Sequence, residues 1–369
     1  MADYYYNESF GDPVNRRLPI LRIVDYIMLF FSVVSALLLV AVLFSPYAHP
    51  AKMSIFAIVG LLTPIIYLTT LLLALFWIIR WKWRYALMML VPLVATTPRI
   101  MLYVRLDTRK HYERRVSKGE FRLMTFNVKH FNTPDNEKVK DRVVDYVERM
   151  KPDVVAFQEY DVKQLKDSLI PEGYKFKNVG GQMLWSRFDI VNSSDEIIKR
   201  DTLDSGSGFW VDFVVREDTI RLFNIHLHST SITSSDNEYI RELGFVSDSL
   251  DDIQIVSMLQ RFKKTSLQRA RQADTLAPMI KSSPYQTIVC GDFNDTPSSY
   301  AYHTIRGDFA DAFAEQGSGY SYTYRGFMNL LRIDYILSSP RVEVLTYDVD
   351  YDCKLSDHYP VISVLKIKK

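Results

Sequence analysis

The sequence has little cysteine and little excess charge. Cys290 and Cys353 are the two cysteines among 369 residues, too few for a disulfide framework, and no Cys/His spacing indicates structural zinc. Lys and Arg number 45 against 43 Asp and Glu, a formal net charge of +2. Proteins that bind nucleic-acid backbones nonspecifically usually have a strong basic excess. The composition therefore predicts two free thiols, leaves the redox compartment open and does not favour DNA as a ligand.

Charged residues are absent from two long stretches near the N-terminus, residues 26–44 and 53–79. Each has about the 20 apolar residues that cross a ~30 Å hydrocarbon layer, so both predict transmembrane helices. A signal peptide is the alternative for the first stretch, but it would be shorter and no second span would follow it. A third apolar stretch, residues 85–97, is short and contains Pro92. It is either a thin span or an interfacial segment.

Basic residues beside these stretches predict a cytoplasmic N-terminus. Three precede the first span and three follow the second: Arg16, Arg17, Arg22, Arg80, Lys82 and Arg84. The loop between the spans has Lys52 alone, and Lys and Arg in short loops tend to stay in the cytoplasm. If the third stretch spans the membrane, the rest of the chain is outside; if it does not, the rest is cytoplasmic. Six basic residues from Arg99 to Arg115 favour the cytoplasmic side. We predict a multi-pass cell-membrane protein and leave the side of the remainder undecided.

From Phe121 onward, short β-rich runs alternate with helical patterns. The run "FRLMTFNV" predicts a strand, and the segment after it places Val139, Val143 and Val147 at helical spacing. Many strands with few helices between them predict an α/β fold, a four-layer α/β/β/α sandwich. Two packed mixed sheets are flanked by helices in this arrangement, and transmembrane helices precede it.

We divide the chain into a membrane anchor of two or three transmembrane helices (1–104), a basic linker (105–120) and a globular domain (121–369). Within the globular domain, residues 228–262 begin with a Ser- and Asp-rich insertion. Insertions of this length are usually functional or mobile. We favour a surface excursion, and a lid over a site is the alternative.

Side chains that can bind metal or phosphate stand at the ends of several apolar runs in the globular domain. They are Asn127 in "TFNV", Glu159 in "FQE", Asn224 and His226 in "NIHLH", Asp292 and Asn294 in "GDFND", Asp334 in "RIDYI", and Asp357 and His358 in "SDHYP". Any one of them alone is more often an ordinary turn residue. In the third run, a period of two places Asn224 and His226 on one polar face. Their joint occurrence in this order indicates a site.

This ordered set of motifs resembles the endonuclease/exonuclease/phosphatase superfamily, which includes abasic-site endonucleases, pancreatic-type deoxyribonucleases, neutral sphingomyelinases and inositol polyphosphate 5-phosphatases. The likeness covers about residues 121–367 and would make the globular domain catalytic. Softer matches are "GGQMLWSRFDI" and "QRARQADTL". No equivalent of the active-site tyrosine of the abasic-site enzymes is evident.

The resemblance implies a Mg²⁺ site, for which Mn²⁺ is an alternative. Glu159 would be the principal ligand, and Asn127 and Asp357 would complete or orient the site. Hard oxygen ligands of this kind suit these cations.

The resemblance also implies how water would attack the phosphoester. Asp292, helped by Asn294, would orient or deprotonate the water. His358, polarised by Asp334, would meet the phosphate from the opposite side. Non-bridging oxygens would be held by Asn224 and His226. The reaction would be an in-line attack on phosphorus without a covalent enzyme intermediate.

These features predict a metal-dependent hydrolase of phosphoester bonds, a phosphodiesterase that acts at or near a membrane. Whether its substrate is a lipid or a nucleic acid stays open. A DNA endonuclease or exonuclease is the alternative. Binding of duplex DNA usually needs a basic stripe, and "RFKK" at residues 261–264 is the one concentrated basic run in the globular domain. A catalytically inactive, membrane-tethered binding module is an alternative of another class, which the complete set of acidic and imidazole positions disfavours. Nothing in the sequence indicates a protein partner.

Overall fold

The computed structural model describes residues 19–107, 115–133, 137–161, 170–198, 206–230, 234–241 and 252–368. Five helices form the N-terminal part: α1 (Pro19–Phe44), α2 (Ile55–Leu61), α3 (Thr63–Ile79), α4 (Trp83–Ala95) and α5 (Thr97–Ile100). The longer helices α1, α3 and α4 share a core that contains Leu39, Trp77 and Met89. Polar contacts link them as well, because the Ser35 and Thr70 hydroxyls lie 2.6 Å apart. Such contacts between small polar side chains are common in membrane helix bundles.

In the described part of the chain, α1 is the one continuous helix long and apolar enough to cross a membrane. The second predicted span, residues 53–79, is not a single straight helix, because α2 and α3 meet at an angle of 69°. The third stretch forms α4, whose 13 residues extend about 20 Å. That length is less than the ~30 Å hydrocarbon layer.

The break between α2 and α3 has a cause in the sequence. Pro64 has no amide hydrogen with which to bond the Gly60 carbonyl, and its ring excludes that carbonyl from the helical position. The Gly60 carbonyl instead accepts hydrogen bonds from the Thr63 hydroxyl at 2.9 Å and from the Thr296 hydroxyl at 3.3 Å. Thr296 belongs to the globular domain. The break therefore attaches the anchor directly to that domain.

The two ends of α1 lie at opposite ends of the helical bundle. Near its N-terminus, the Asp25 carboxylate lies 3.1 Å from Arg80 and 2.5 Å from Lys82, which follow α3. Just past its C-terminus, the Ser45 hydroxyl donates to the Ser298 carbonyl of the globular domain at 2.9 Å. A helix of 26 residues is about 39 Å long. The globular domain thus lies at the end of the bundle away from Asp25.

The strands are β1 (Val104–Arg105), β2 (Glu120–Asn127), β3 (Val154–Gln158), β4 (Lys175–Val179), β5 (Gln182–Ser186), β6 (Ile190–Ser193), β7 (Ser207–Val215), β8 (Asp218–His226), β9 (Gln286–Asp292), β10 (Ala310–Asp311), β11 (Gly319–Tyr320), β12 (Asp334–Ser338), β13 (Val342–Val344), β14 (Asp348–Val349) and β15 (Val361–Ile367). One sheet has the order β13-β15-β2-β3-β5-β4, with β14 beside β15, and the other has the order β10-β12-β9-β8-β7-β6. Both are mixed, because β2 pairs with β3 and β8 with β9 in parallel while their other pairs are antiparallel.

Helices cover the outer faces of the two packed sheets. The remaining helices are α6 (Lys140–Met150), α7 (Ser234–Arg241), α8 (Asp252–Lys281), α9 (Tyr300–Arg306) and α10 (Ala312–Gln316). Leu123 and Leu222 meet in the core between the sheets. Outside one sheet Val147 of α6 packs in a second core, and outside the other Leu276 of α8 packs in a third. The predicted sandwich of two mixed sheets flanked by helices is confirmed.

The predicted linker is only partly described, since residues 108–114 lie outside the described residues. At its start, β1 pairs with β11 of the globular domain, with Val104 opposite Tyr320. The Arg332 guanidinium donates to the Leu102 carbonyl at 2.8 Å. The chain therefore joins the globular domain before residue 105, and the three-part division stays a prediction.

Candidate active site

Strands of both sheets end at the same edge of the sandwich, and most predicted site residues lie there. His226 at the end of β8 is opposite Asp292 at the end of β9. Asp334 opens β12 and is also opposite Asp292, because β12 and β9 are antiparallel. In the other sheet, Asn127 ends β2 opposite the last residue of β3. Parallel and antiparallel pairing together thus bring distant motifs to one edge.

Glu159 directly follows β3, and its side chain is 26% exposed. Its Oε1 accepts a hydrogen bond from Asn127 Nδ2 at 3.1 Å. The Nε2 atoms of His226 and His130 lie 3.6 Å from its two carboxylate oxygens, which is longer than a hydrogen bond. The carboxylate is therefore held on one side and open to the pocket on the other.

Several residues around this site have left-handed backbone conformations that cost about 1–3 kcal/mol each. They are Lys129 at φ 45°, His130 at 52°, Glu159 at 51° and Asn294 at 50°. Residues other than glycine rarely adopt positive φ. Their concentration beside the predicted site residues is typical of a functional site.

Asn127 bridges two carboxylates. Its Nδ2 donates to Glu159 and also to Asp292 Oδ2 at 3.0 Å, while its Oδ1 accepts the Lys129 amide at 3.0 Å. Both ends of the amide are thus engaged by the protein. Its geometry supports an orienting role, and its role as a direct metal ligand stays a prediction.

Asp292 is fully buried and is held by amides. Its Oδ1 accepts the Asn294 amide at 2.8 Å, and the Asn294 side chain donates to the Leu227 carbonyl at 3.0 Å. The Nε2 atoms of His226 and His358 each lie 3.7 Å from its Oδ2. Burial is the main cause that raises the pKa of Asp292 to about 6, against the opposing influence of the two histidines.

His358 and Asp334 form a buried pair. The His358 Nδ1 lies 2.9 Å from Asp334 Oδ2, and the Asp334 amide donates to the Thr323 hydroxyl at 3.0 Å. Burial lowers the pKa of His358, but the carboxylates of Asp334 and Asp292 outweigh it and raise that pKa well above its ordinary value. These carboxylates therefore favour the protonated form of His358, whose Nε2 is on the Asp292 side.

Asn224 and His226 lie on one face of β8, as the period of two predicts, but at different depths. The Asn224 Oδ1 accepts from Gln158 Nε2 at 2.7 Å, and its Nδ2 donates to the Phe157 carbonyl at 3.0 Å. Asn224 is thus engaged by hydrogen bonds between the sheets. His226 Nε2 is buried without a hydrogen-bond partner in the described chain, so it is available to an incoming oxygen.

Three further side chains at the site were not predicted. Lys129 Nζ lies 2.9 Å from Asp357 Oδ2, His130 lies near Glu159, and the Tyr324 ring centroid is 5.2 Å from that of His358. Lys129 and His130 directly follow the "TFNV" motif, and that adjacency is a usable signal. Tyr324 comes from an irregular segment with no such signal.

Tyr324 shows that the three acidic groups converge. Burial raises its pKa, and the charges of Asp357, Asp292 and Glu159 raise it further. These carboxylates come from three separate motifs of the sequence. A tyrosine therefore does lie at this site, beside the acidic residues predicted to bind metal or activate water.

Residues 124–358 match the model of the Endonuclease/Exonuclease/phosphatase family. This chain belongs to that family. Its members act on phosphoester bonds as phosphoesterases and nucleases, and they generally use divalent metal ions. The resemblance predicted from the motifs is confirmed. Residues 25–103 match a second model, a domain of unknown function (DUF8431).

Solved structures from the same family are similar at low identity. A family member from Bacteroides thetaiotaomicron is 18% identical, with 68% of this chain and 98% of that chain covered and a TM-score of 0.49. A mannosyl-6-phosphatase from the same organism is 18% identical, with coverage of 66% and 99% and a TM-score of 0.47. The human Nocturnin catalytic domain with bound sulfate is 17% identical, with coverage of 69% and 97% and a TM-score of 0.46. No curated protein matches.

The family's site opens here into a pocket of about 330 Å³. Its polar end contains Lys129, Glu159, Asn294, Asp357 and His358. Its walls are largely apolar and come from α2, from the start of α8 and from two segments near β12: Ile58, Leu61, Leu62, Met258, Leu259, Phe262, Phe327, Leu331 and Ile333. The size and the mixture are typical of a small-molecule site.

The predicted surface excursion after β8 contributes to this pocket. Residues 231–233 and 242–251 lie outside the described residues. Between them, α7 contacts the pocket wall through Asn237, whose Oδ1 accepts the Phe327 amide at 2.9 Å. Beyond them, Met258 and Phe262 of α8 form part of the wall. This geometry favours the alternative, a cover over the site.

The residues at the polar end fit a hard divalent cation. Glu159 and Asp357 line the pocket, and the unpartnered Nε2 of His226 lies beside Glu159. Carboxylate oxygens are the ligands that Mg²⁺ prefers. Ligand atoms of Asp292, Asp334 and His358 also lie within 4.8 Å of one another, but His358 Nδ1 already faces Asp334 there. That group suits proton transfer better than metal binding.

Proposed function

We propose that this chain is a divalent-metal-dependent phosphodiesterase of the membrane, which activates water for in-line attack on phosphorus. One observation carries the proposal. The open carboxylate of Glu159, the buried carboxylate of Asp292 and the imidazoles of His226 and His358 meet at one site, with contacts of 3.6 to 3.7 Å, and Glu159 and His358 of this set line the pocket. Each contact is longer than a hydrogen bond, so these imidazole Nε2 atoms are not committed to the carboxylates and can bond an oxygen atom of a substrate or a water.

The charge state of each group supports its role. Asp292 has a pKa raised by burial to about 6, and a general base works best when its pKa is near the ambient pH. Asn127 and Asn294 hold the carboxylate in place. Asp334 and Asp292 favour the protonated form of the buried His358, which would stabilise the negative charge that develops on a phosphoryl oxygen. His226 Nε2 offers a second contact, and Asn224 acts indirectly through Gln158.

A divalent cation, Mg²⁺ or Mn²⁺, would be held by Glu159 and Asp357, with Asn127 orienting Glu159. When bound, such an ion neutralises phosphoryl charge and polarises the phosphorus–oxygen bond. Lys129 adds positive charge at the same end of the pocket, because its Nζ lies 2.9 Å from Asp357.

The direct test uses the full chain in lipid nanodiscs with three substrates: bis(4-nitrophenyl) phosphate, plasmid DNA and a choline phospholipid. We expect the chromogenic diester to be hydrolysed with Mg²⁺. EDTA should abolish turnover, and added Mg²⁺ or Mn²⁺ should restore it. Activity that persists in EDTA would contradict the metal requirement. Turnover of DNA alone would support the nuclease alternative, and no turnover at all would support the binding module.

Integration into a membrane is supported by the outer surface of the helical bundle. Large apolar side chains on α1, α3 and α4 are exposed on it: Tyr26, Phe30, Leu37, Leu68, Leu72, Leu87, Val91 and Val94. A water-soluble helix has a polar outer face, whereas helices that are apolar all round lie in a core or a membrane. These exposed faces support a multi-pass anchor in which α1, the broken pair α2–α3 and α4 all enter the bilayer.

We further propose that the active site faces away from the cytoplasm. Arg80 and Lys82 lie with Asp25 at one end of α1, and the globular domain lies at the other end. Positive charge in short loops favours the cytoplasmic side, and the short turn from Arg80 to Arg84 has three basic residues against Lys52 alone in the loop of residues 45–52. The basic residues after Arg99 precede a long domain, whose translocation depends little on charge.

This orientation predicts the reactivity of two introduced thiols. Asp218→Cys is exposed in the globular domain, and Trp81→Cys is exposed in the turn between α3 and α4. In right-side-out vesicles, a membrane-impermeant maleimide should label Asp218→Cys, and it should label Trp81→Cys only after the vesicles are opened. The native cysteines are buried, so the unsubstituted chain serves as the background control. The reverse labelling pattern would place the active site in the cytoplasm.

A further inference from the structure

The active-site pocket has one wall that comes from the anchor. Ile58, Leu61 and Leu62 lie at the end of α2 and line the same pocket as Glu159 and His358. The anchor is thus part of the substrate site, although its residues precede every motif of the family match, which begins at residue 124.

Close backbone contact fixes this wall in place. A Cβ atom on Gly60 would lie 2.8 Å from the Ser298 carbonyl oxygen, so only glycine permits this approach. The Gly60 carbonyl accepts the Thr296 hydroxyl at 3.3 Å, and Thr296 follows Asn294 by two residues. Leu61 and Leu62 are therefore held beside the loop that positions the Asp292 carboxylate.

A second wall comes from the first turns of α8. Met258, Leu259 and Phe262 line the pocket, and Leu259 is 41% exposed. Arg261 lies between them, but its guanidinium donates to Asp236 at 2.6 Å and so is paired with a carboxylate. The two walls present a largely apolar groove that leads from Glu159 toward the anchor.

We propose that this groove binds the hydrocarbon chain of an amphiphilic phosphodiester whose phosphoryl group lies at Glu159. This inference rests on the proposed phosphodiesterase function and names its substrate class. Two features of the groove indicate a hydrocarbon chain. The groove is continuous with the catalytic pocket, and one of its walls belongs to α2, whose partner helix α3 has exposed apolar faces. A nucleotide neighbour would instead place charged phosphates against leucine side chains, which is unfavourable.

The test compares two chromogenic diesters that differ only in chain length, methyl 4-nitrophenyl phosphate and octyl 4-nitrophenyl phosphate. Both release 4-nitrophenolate, so the chemical step is the same. Complete burial of one methylene strengthens binding about fourfold, and the octyl ester adds seven. With the full chain in nanodiscs and Mg²⁺, we expect kcat/KM to be at least about tenfold higher for the octyl ester, which allows for partial burial.

Variants separate the groove from simple partitioning of the ester into lipid. Leu61→Gln and Leu259→Gln alter the two walls, and each should reduce the octyl-to-methyl ratio at least about threefold. Ile55→Gln is the matched control, because Ile55 is on α2 but exposed and outside the pocket; it should keep the original ratio. Because two groove variants are tested, the comparison remains possible if one of them fails to fold.

The possible outcomes distinguish the two proposals. A ratio near one with normal turnover of both esters would overturn the groove assignment and leave the hydrolase intact. A high octyl-to-methyl ratio that persists in both groove variants would show that the preference comes from partitioning of the ester into lipid. That result would also overturn the groove assignment. No turnover of either ester would contradict the phosphodiesterase function itself.

Discussion

Asp292→Asn is expected to lower kcat by on the order of 10²–10⁴-fold, the usual contribution of a general base. The amide cannot accept a proton from water, and its nitrogen would oppose the Asn127 Nδ2 that now donates to Oδ2 at 3.0 Å. The shape of the side chain is unchanged, so the fold should persist. Initial rates with bis(4-nitrophenyl) phosphate and the thermal unfolding midpoint measure the two effects separately.

Glu159→Gln should cause a loss of similar size, because it removes the negative charge of the principal metal ligand. Its apparent affinity for Mg²⁺ should also fall, whereas that of Asp292→Asn should change less. Asp218→Asn is the matched control, an exposed carboxylate at the opposite end of β8 from His226, and should have the original kcat. Activity retained in both Asp292→Asn and Glu159→Gln would refute the assignment of the site.

Asp311→Ala is expected to lower the free energy of unfolding by about 3–5 kcal/mol, as when one partner of a buried ion pair is removed. Asp311 accepts from both terminal nitrogens of Arg332 at 3.1 and 2.8 Å, and both side chains are buried. It also accepts the Tyr302 hydroxyl and caps α10 through the Phe313 amide. Its loss would leave a buried, uncompensated guanidinium. At about 2–4 °C per kcal/mol, the unfolding midpoint should fall by on the order of 10 °C.

Glu137→Ala is the matched control for that prediction. Glu137 also pairs with an arginine, Arg142, at 3.0 Å, but both side chains are more than half exposed. Exposed pairs contribute about 0–1 kcal/mol, so the midpoint should barely change. Equal shifts in the two variants would contradict the importance of burial.

The contribution of Asp311 to stability should also depend on pH. Burial raises its pKa, but Arg332 outweighs this and holds the pKa below its ordinary value. A carboxylate whose pKa is lower in the folded state stabilises fully above its unfolded pKa of about 4. The difference between the original chain and Asp311→Ala should therefore be constant near neutrality and decline only as the pH falls below about 4.

The sheets and most of the site could be predicted because their signals are local. Asn127, Asp292 and Asp334 each stand at the end or the beginning of an apolar strand, and parallel and antiparallel pairing necessarily brings such ends to a shared edge. The alternation along β8 also correctly placed Asn224 and His226 on one face.

Depth and long-range contacts could not be predicted in the same way. Period-two alternation assigns a side chain to a face but not to a layer, so Asn224 was expected to contact phosphate although it holds Gln158 between the sheets. The contribution of Leu61 to the pocket depends on a contact between Gly60 and Ser298, which are 238 positions apart. No local pattern encodes that distance. Similarly, nothing in the charge-free stretch of residues 53–79 indicates that the Gly60 carbonyl accepts a hydrogen bond from the Thr296 hydroxyl.

In the proposed membrane arrangement, the freed carbonyl of Gly60 determines how high the reactive centre stands above the bilayer. A domain on a flexible tether samples many heights and orientations, and it can reach phosphates on soluble molecules as readily as those at the lipid surface. Here the Thr296 hydroxyl and the Ser45–Ser298 bond hold the anchor against the catalytic loops. With the anchor in the membrane as proposed, the centre would be confined to one level, and amphiphilic substrates would reach it by lateral diffusion within the plane of the lipid.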